Sequence, residues 1–301
     1  ARLLPAGSIL FSSRAPIGYV AIAKNQLTTN QGFRSIIPND KVIPEFLYYL
    51  LKFNKNKIEK NAGGSTFKEI SGSTLSETEV IIPLDINTQK SIADLLGYID
   101  SKIETNIRIN DNLLQTSLSY FKHKFLSKTP NGKLNEILIE HAKSQIQVNQ
   151  AKKSCGNIPF FTSGDEILFS NTEISKTSSC FLNTGGNADV KFFAGSAGYS
   201  TDTWCISAKG NLTEYLFLYL LTYKEELQKK YFQGTGLKHL QKDQLRNKEI
   251  YIPSEDEIAA MNELLIPNLK AYSSNFIQNH RLKRLRDYLL PLLLNGQVTI
   301  K

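Results

Sequence analysis

The chain matches itself at a distance of 170 residues, and that repeat limits its architecture more than any other feature. Phe46-Leu47-Tyr48-Tyr49-Leu50-Leu51 falls on Leu216-Phe217-Leu218-Tyr219-Leu220-Leu221. Gly64, Lys68 and Ile70 meet Gly234, Lys238 and Leu240, and Ile82-Pro83 meets Ile252-Pro253. A further match at a shift of 169 carries on through the segment after each block. A period this long exceeds the few dozen residues of a solenoid unit. It describes two half-molecules, each a globular head followed by a long helix.

In each block, β-forming runs precede a helical one. Ser8–Phe11, Gly18–Ile22 and Phe33–Ile37 are rich in β formers and are separated by turn signals. A helix is predicted over 45–60, opened by Pro44, and Val80-Ile81-Ile82-Pro83 reads as a short closing strand. The second block repeats the order with Cys180–Leu182, Val190–Phe193, Thr203–Ile206, a helix from Glu214 to Tyr231, and a closing strand at Glu249–Ile252. Residues 131–170 have no counterpart in the first block, so the first head reads as incomplete at its N-terminal side; the chain opens at Ala1 rather than a methionine.

The segments after the blocks carry a seven-residue ladder. In the first it starts at Ile92 and selects Leu96, Ile99, Ile103, Asn106, Asn110, Leu113, Ser117 and Tyr120. Adding 169 selects Met261, Leu265, Asn268, Tyr272, Asn275, Asn279, Leu282, Arg286 and Leu289 from the second ladder. Sustained apolar seams of this period mark coiled coils, and polar seam residues fix register at a cost in stability. Two helices with one seam, separated by a compact domain and related by an approximate two-fold sequence symmetry, favour antiparallel pairing. Asn106, Asn110, Asn275 and Asn279 would then set the register. Pro267 stands where the first helix has Tyr98, and is expected to kink the second helix or delay its regular start to about Asn268. The fold class is therefore α+β. Two mixed α/β heads occupy 1–83 and 131–253, and spacer helices that pair as an antiparallel coiled coil occupy 84–130 and 254–301.

Composition narrows the chemistry. The 301 residues carry a net charge of +8. Residues 1–83 hold ten basic and six acidic groups, and 258–301 hold six and two, which suits a polyanionic partner. Cys155, Cys180 and Cys205 form no CxxC pair, and an odd count argues for reduced thiols in a cytoplasm and against a zinc site. No apolar run reaches the ~20 residues of a membrane span. There is no phosphate-binding P-loop, HExxH or GxSxG motif, and no catalytic residue or metal ligand is assigned.

The heads instead offer donor-rich loops at one repeat position, Gly63-Gly64-Ser65-Thr66-Phe67-Lys68 and Gly234-Thr235-Gly236-Leu237-Lys238-His239. Glycine lets the backbone approach a ligand, hydroxyls and amides donate to phosphate oxygens, and lysine adds charge. The DNA-binding candidates are Arg14, Lys24, Arg34, Ser65, Thr66 and Lys68 in the first head. In the second they are Lys152, Lys153, Lys176, Asn183, Thr235, Lys238 and His239. A scaffold with two adaptor heads and no DNA role is the alternative.

The ordered set resembles the specificity subunits of type I restriction–modification enzymes over the whole chain. It comprises Gly7-Ser8-Ile9-Leu10, Thr29-Asn30-Gln31-Gly32-Phe33, the helix, the glycine-threonine loop, the strand ending at Pro83 and the Asn-bearing helix. The resemblance implies two target recognition domains, each reading one half of a split double-stranded DNA sequence, with the helices setting the half-site spacing. Forty helical residues rise about 60 Å, longer than one ~34 Å turn of B-DNA. It also implies a chain without its own active site. Two methyltransferase subunits would bring S-adenosylmethionine and methylate adenine, and ATP- and Mg-dependent restriction subunits would cleave.

Overall fold

A computed structural model describes residues 2–14, 16–63, 68–154 and 156–300. Ser65, Thr66 and Cys155 lie outside the described residues. The chain divides into two compact units, residues 1–104 with 279–301 and residues 105–278.

In the first unit, β1 (Ile9–Ser12) is the centre of an antiparallel sheet, flanked by β2 (Val20–Ile22) and β3 (Phe33–Ile36). Helix α1 (Pro44–Lys60) starts on the expected proline, with Glu45 in its first turn and Lys57 and Lys60 in its last, matching the helix dipole. It buries Phe46, Tyr49, Leu50, Leu51 and Ile58. Short α2 (Gly72–Ser76) follows, N-capped by Ser71, and then the long α3 (Ile86–Phe125). Val80–Pro83 forms no strand, a correction to the sequence reading, since no strand lies beside it among the described residues. Buried Gln89 ties this stretch to the helices, donating to the carbonyls of Lys41 (2.9 Å) and Pro83 (2.8 Å) and accepting from Ile43 N–H (3.1 Å).

The second unit opens with β4 (Gly132–Lys133), α4 (Leu134–Ile137), β5 (Leu138–Glu140) and α5 (Val148–Lys153). Then come β6 (Ile158–Phe161), β7 (Leu168–Ser170), β8 (Ser179–Asn183), β9 (Val190–Phe193), β10 (Gly198–Tyr199) and β11 (Thr203–Ala208). Helix α6 (Thr213–Thr222) leads through α7 (Lys224–Glu226) and a π-turn (Leu227–Tyr231) to β12 (Phe232–Gln233) and β13 (His239–Leu240). The unit ends with α8 (Lys242–Arg246), β14 (Glu249–Ile250) and the start of α9 (Glu255–Leu294). A four-stranded sheet, ordered β5-β11-β8-β9, packs on α6, and β10-β6-β7 forms a second sheet. The single helix expected from Glu214 to Tyr231 is broken after Thr222. There Lys224 pairs with Asp189 (2.6 Å) and Gln228 accepts from Ala188 N–H (2.5 Å), which draws the chain onto the β9 edge.

Within each unit the stretch of α3 lies antiparallel along that of α9, and none of the seam residues is exposed. In the first unit Arg286 pairs with Asp100 (2.7 Å) and Asn279 Nδ2 donates to the Ile103 carbonyl (3.4 Å). In the second, Asn110 Nδ2 donates to the Tyr272 carbonyl (3.1 Å), Asn275 Nδ2 to Asn110 Oδ1 (3.0 Å) and Asn106 Nδ2 to Gln278 (2.6 Å). Subtracting 169 from 279 and adding it to 103 turns the Asn279–Ile103 bond into Asn110–Tyr272. The seam thus repeats in hydrogen bonds as well as in sequence. Helix α9 runs unbroken from Glu255, so Pro267 does not delay its start. Pro267 and Glu263, whose carbonyl loses its amide partner to the proline, are both exposed, so the missing bond falls on the solvent side of the helix.

Candidate nucleic-acid interface

Each head gathers its loops at one end of its sheet by backbone pairing. In the first, Gly63 and Glu69 exchange two backbone bonds (3.1 and 3.0 Å) and close the base of the glycine-rich loop. That loop docks on the turn after β1 through the Arg14–Glu69 bridge and Ile70 N–H to the Ser13 carbonyl (3.0 Å). Ser13 N–H in turn donates to the Gly32 carbonyl (2.8 Å), bringing in the segment before β3. Arg34 reaches Glu69 across the junction at 3.1 Å, so its charge is already paired within the protein.

In the second head, β12 and β13 form a hairpin with residues 234–238 at its tip. Gly234 has a left-handed φ of 147°, and a Cβ there would come within 2.6 Å of the Leu237 carbonyl oxygen, so the tight tip requires glycine. Three links dock the hairpin on the turn after β8. They are the Gly185–His239 bridge, Gly186 N–H to the Lys238 carbonyl (2.9 Å) and Leu240 N–H to the Thr184 carbonyl (3.0 Å). The Asp202 carbonyl then accepts from Thr184 N–H (3.1 Å), Thr184 Oγ1 (2.8 Å) and Ser163 Oγ, adding two more loops. Adding 170 to the Arg14–Glu69 bridge gives 184–239, one residue from the bridge observed. The same junction is built in both heads.

Buried side chains hold the second junction rigid. Asn183, 5% exposed, donates to the carbonyls of Ser163 (2.8 Å) and Asn187 (3.1 Å). Lys191 donates to the carbonyls of Thr162 (3.1 Å) and Gly164 (2.9 Å) and pairs with Asp189 (2.9 Å). Burial pushes the Asp189 carboxyl up, but hydrogen bonds from Lys224 and Lys191 outweigh it and hold the group below its ordinary range.

The structure brings some of the predicted residues together and separates others. Thr235, Lys238 and His239 share the exposed hairpin, and exposed Arg14 and Lys68 flank the first junction. Lys24 follows β2 at the end away from the Arg14 turn. Lys176 precedes β8 whereas the docking turn follows it, leaving roughly 13 Å of strand between them. Lys152 and Lys153 end α5 beside Ser154, which accepts from Asn171 N–H (3.2 Å) at the end of β7 remote from the 162–166 loop. Asn183, named as a contact, is a buried brace. Thr184, Ser163, Asp202 and Lys191 went unassigned in the sequence; the glycine cluster Thr184-Gly185-Gly186-Asn187 is a local signal for the Thr184 turn alone.

Two heads with matched loop junctions on a polar-seamed helix pair define a recognition protein. The sequence matches the family described as the type I restriction modification DNA specificity domain over residues 1–115 and 126–285. It is 33% identical to the type I restriction enzyme MjaIX specificity subunit of Methanocaldococcus jannaschii, covering 100% of this chain and 79% of that protein. It is 23% identical to the HindI specificity subunit of Haemophilus influenzae, covering 97% of this chain and 86% of that protein. The crystal structure of a type I restriction-modification system S subunit from M. genitalium shares the fold, with a TM-score of 0.64 at 17% identity over 97% of this chain and 84% of that one. The chain belongs to the type I restriction–modification specificity subunits and serves sequence-specific DNA recognition. Among the described residues no helix is long and apolar enough to cross a membrane.

Proposed function

We propose that the two heads read different halves of one interrupted double-stranded DNA target, with the seamed helices setting the half-site separation. The observation that carries this is the loop junction repeated in both heads, with unlike side chains at matching positions: Glu69 in one and His239 in the other. Matching backbone junctions anchor both loops in the same way, and differing side chains give each half-site its own sequence. The chain works in the cytoplasm in complex with two methyltransferase subunits, and with restriction subunits where the system cleaves. Those partners carry S-adenosylmethionine, ATP and Mg, and adenine methylation and cleavage are theirs; this chain supplies address rather than chemistry.

The test is the salt dependence of duplex binding by the complex. Each phosphate contact removed lowers the slope of log K against log salt by about 0.9. Lys68→Ala and Lys238→Ala are each expected to lower it by about one unit and to weaken binding on all sequences alike. Unchanged slopes in both variants would remove the two loops from the interface. A footprint without an interrupted, asymmetric target would end the two-headed reading.

A further inference from the structure

Leu237 occupies the tip of the β12–β13 hairpin and is 66% exposed, between Gly236 and the polar pair Lys238 and His239. A leucine there adds nothing to a core, and water gains nothing from it. Nor is it loosely placed. Backbone bonds fix the hairpin on the turn after β8, and Leu237 Cδ2 lies 3.8 Å from the position a Cβ on Gly185 would take. A side chain at Gly185 would touch Leu237, so the leucine sits over a bare glycine with most of its surface open. The residue 170 positions earlier is Phe67, also large and apolar, in the loop of the other head.

We propose that Leu237 is a specificity-determining residue that reads the 5-methyl group of a thymine in the half-site of the second head. The inference rests on the reading of this hairpin as DNA-facing. A two-stranded ribbon fits the major groove, where thymine presents a methyl group that an apolar side chain can cover. Lys238, beside it, holds the ribbon on the phosphates whatever the sequence. A wedge driven between base pairs requires a side chain standing clear of the protein. Leu237 instead stays within reach of a Cβ at Gly185, close over the turn after β8, which suits contact with a methyl group at the groove floor.

The test starts from duplexes that the full chain enriches from a random-sequence pool. Each thymine of the enriched sequence is replaced in turn by deoxyuridine, which removes only the methyl group. One replacement is expected to weaken wild-type binding about three- to fourfold, the value of one buried methyl. The same replacement should leave the Leu237→Ala variant unaffected, and that variant should keep the wild-type salt slope. If no thymine shows this coupling, or if Leu237→Ala changes the salt slope as Lys238→Ala does, the assignment to Leu237 is wrong. Failure to enrich any duplex would instead overturn the DNA-facing reading itself, and the proposal with it. Because the deoxyuridine series uses unaltered protein, a folding defect in the variant cannot imitate a positive result.

Discussion

In the second head Glu249–Ile250 pairs with Gly132–Lys133, whereas in the first the aligned Glu79–Val80 are irregular and Val80 is 40% exposed. Glu79-Val80 aligns on Glu249-Ile250, and the Ile82-Pro83 and Ile252-Pro253 ends that follow are irregular in both heads, so local preference does not separate them. What differs is the neighbour: β14 has β4 beside it. Strand preference is realised only where a partner offers its backbone. The helices show the same contrast. Helix α6 is buried from Thr213 through Leu220, inside a core completed by Phe121, Phe125 and Trp204. Helix α1 buries one face and leaves most of its length partly wet.

The largest expected effect breaks that symmetry at one aligned pair, Leu50 and Leu220. Leu220→Ala opens a cavity walled on all sides and is expected to cost about 4 kcal/mol, whereas Leu50→Ala, in a smaller cluster that can relax, should cost about 2–3 kcal/mol. Denaturant titration with hydrogen exchange resolved by peptide would assign each loss to its head. Equal losses would mean the two cores are equally complete.

The seam sharpens the comparison in the other direction, because there the halves agree. Asn110→Leu removes the donor to the Tyr272 carbonyl and the acceptor of Asn275. Asn279→Leu removes its longer bond to Ile103. Leaving such groups unpaired costs about 1–2 kcal/mol, part of which the added leucine offsets. Helicity by circular dichroism is expected to hold in both variants, and in Asn106→Leu/Asn110→Leu together, while register loosens. Cysteines placed at positions 117 and 268, where Asn268 meets Ser117 at 3.5 Å, should then cross-link less selectively than neighbouring pairs one turn away. Undiminished selectivity would show that apolar seam residues alone set the register.

These cases show which information is local. Seam and helix positions were legible because burial repeats with the helical period, so Leu96, Ile103, Asn106 and Asn279 could be picked by counting. The loop junction was only half legible. The repeat placed Lys68 and Lys238 together, but docking of His239 on Gly185 joins residues more than fifty positions apart, and no local pattern announces it. No local pattern marks Lys191, because its role depends on carbonyls of the loop between β6 and β7. The start of α9 was readable, and the 254 boundary agrees with it: Ser254-x-x-Glu257 is a capping box, and it outweighs the alternative of a start delayed past Pro267.

That box supplies the smallest effect, again as a contrast between repeats. Adding 169 to Asp85 and Thr88 gives Ser254 and Glu257. Helix α3 is capped by Asp85, which accepts from Thr88 N–H (2.9 Å) and Thr88 Oγ1 (2.7 Å), whereas α9 places its carboxylate at the other end of the box. Glu257 accepts from the Tyr251 hydroxyl (2.6 Å) and Ser254 N–H (3.0 Å) and pairs with Lys128 (3.2 Å). The Tyr251 bond, the Ser254 amide and Lys128 pull its pKa down to about 2. The bonds from Thr88 lower Asp85 as well. A depressed carboxyl stabilises the fold above its ordinary range, and that contribution fades as pH falls from about 4.3 toward the folded value. Both helix starts should therefore fray on acidification, the contribution of Glu257 to α9 being lost as pH falls toward about 2. Glu257→Gln is expected to flatten this response in α9 alone, and Asp85→Asn in α3 alone. Solvent screening keeps the Glu257 effect below about 1 kcal/mol, so first-turn amide exchange, corrected for its intrinsic pH dependence, is the suitable measure. If Glu257→Gln altered the first turn of α3 as strongly as that of α9, the two caps could not be independent local devices.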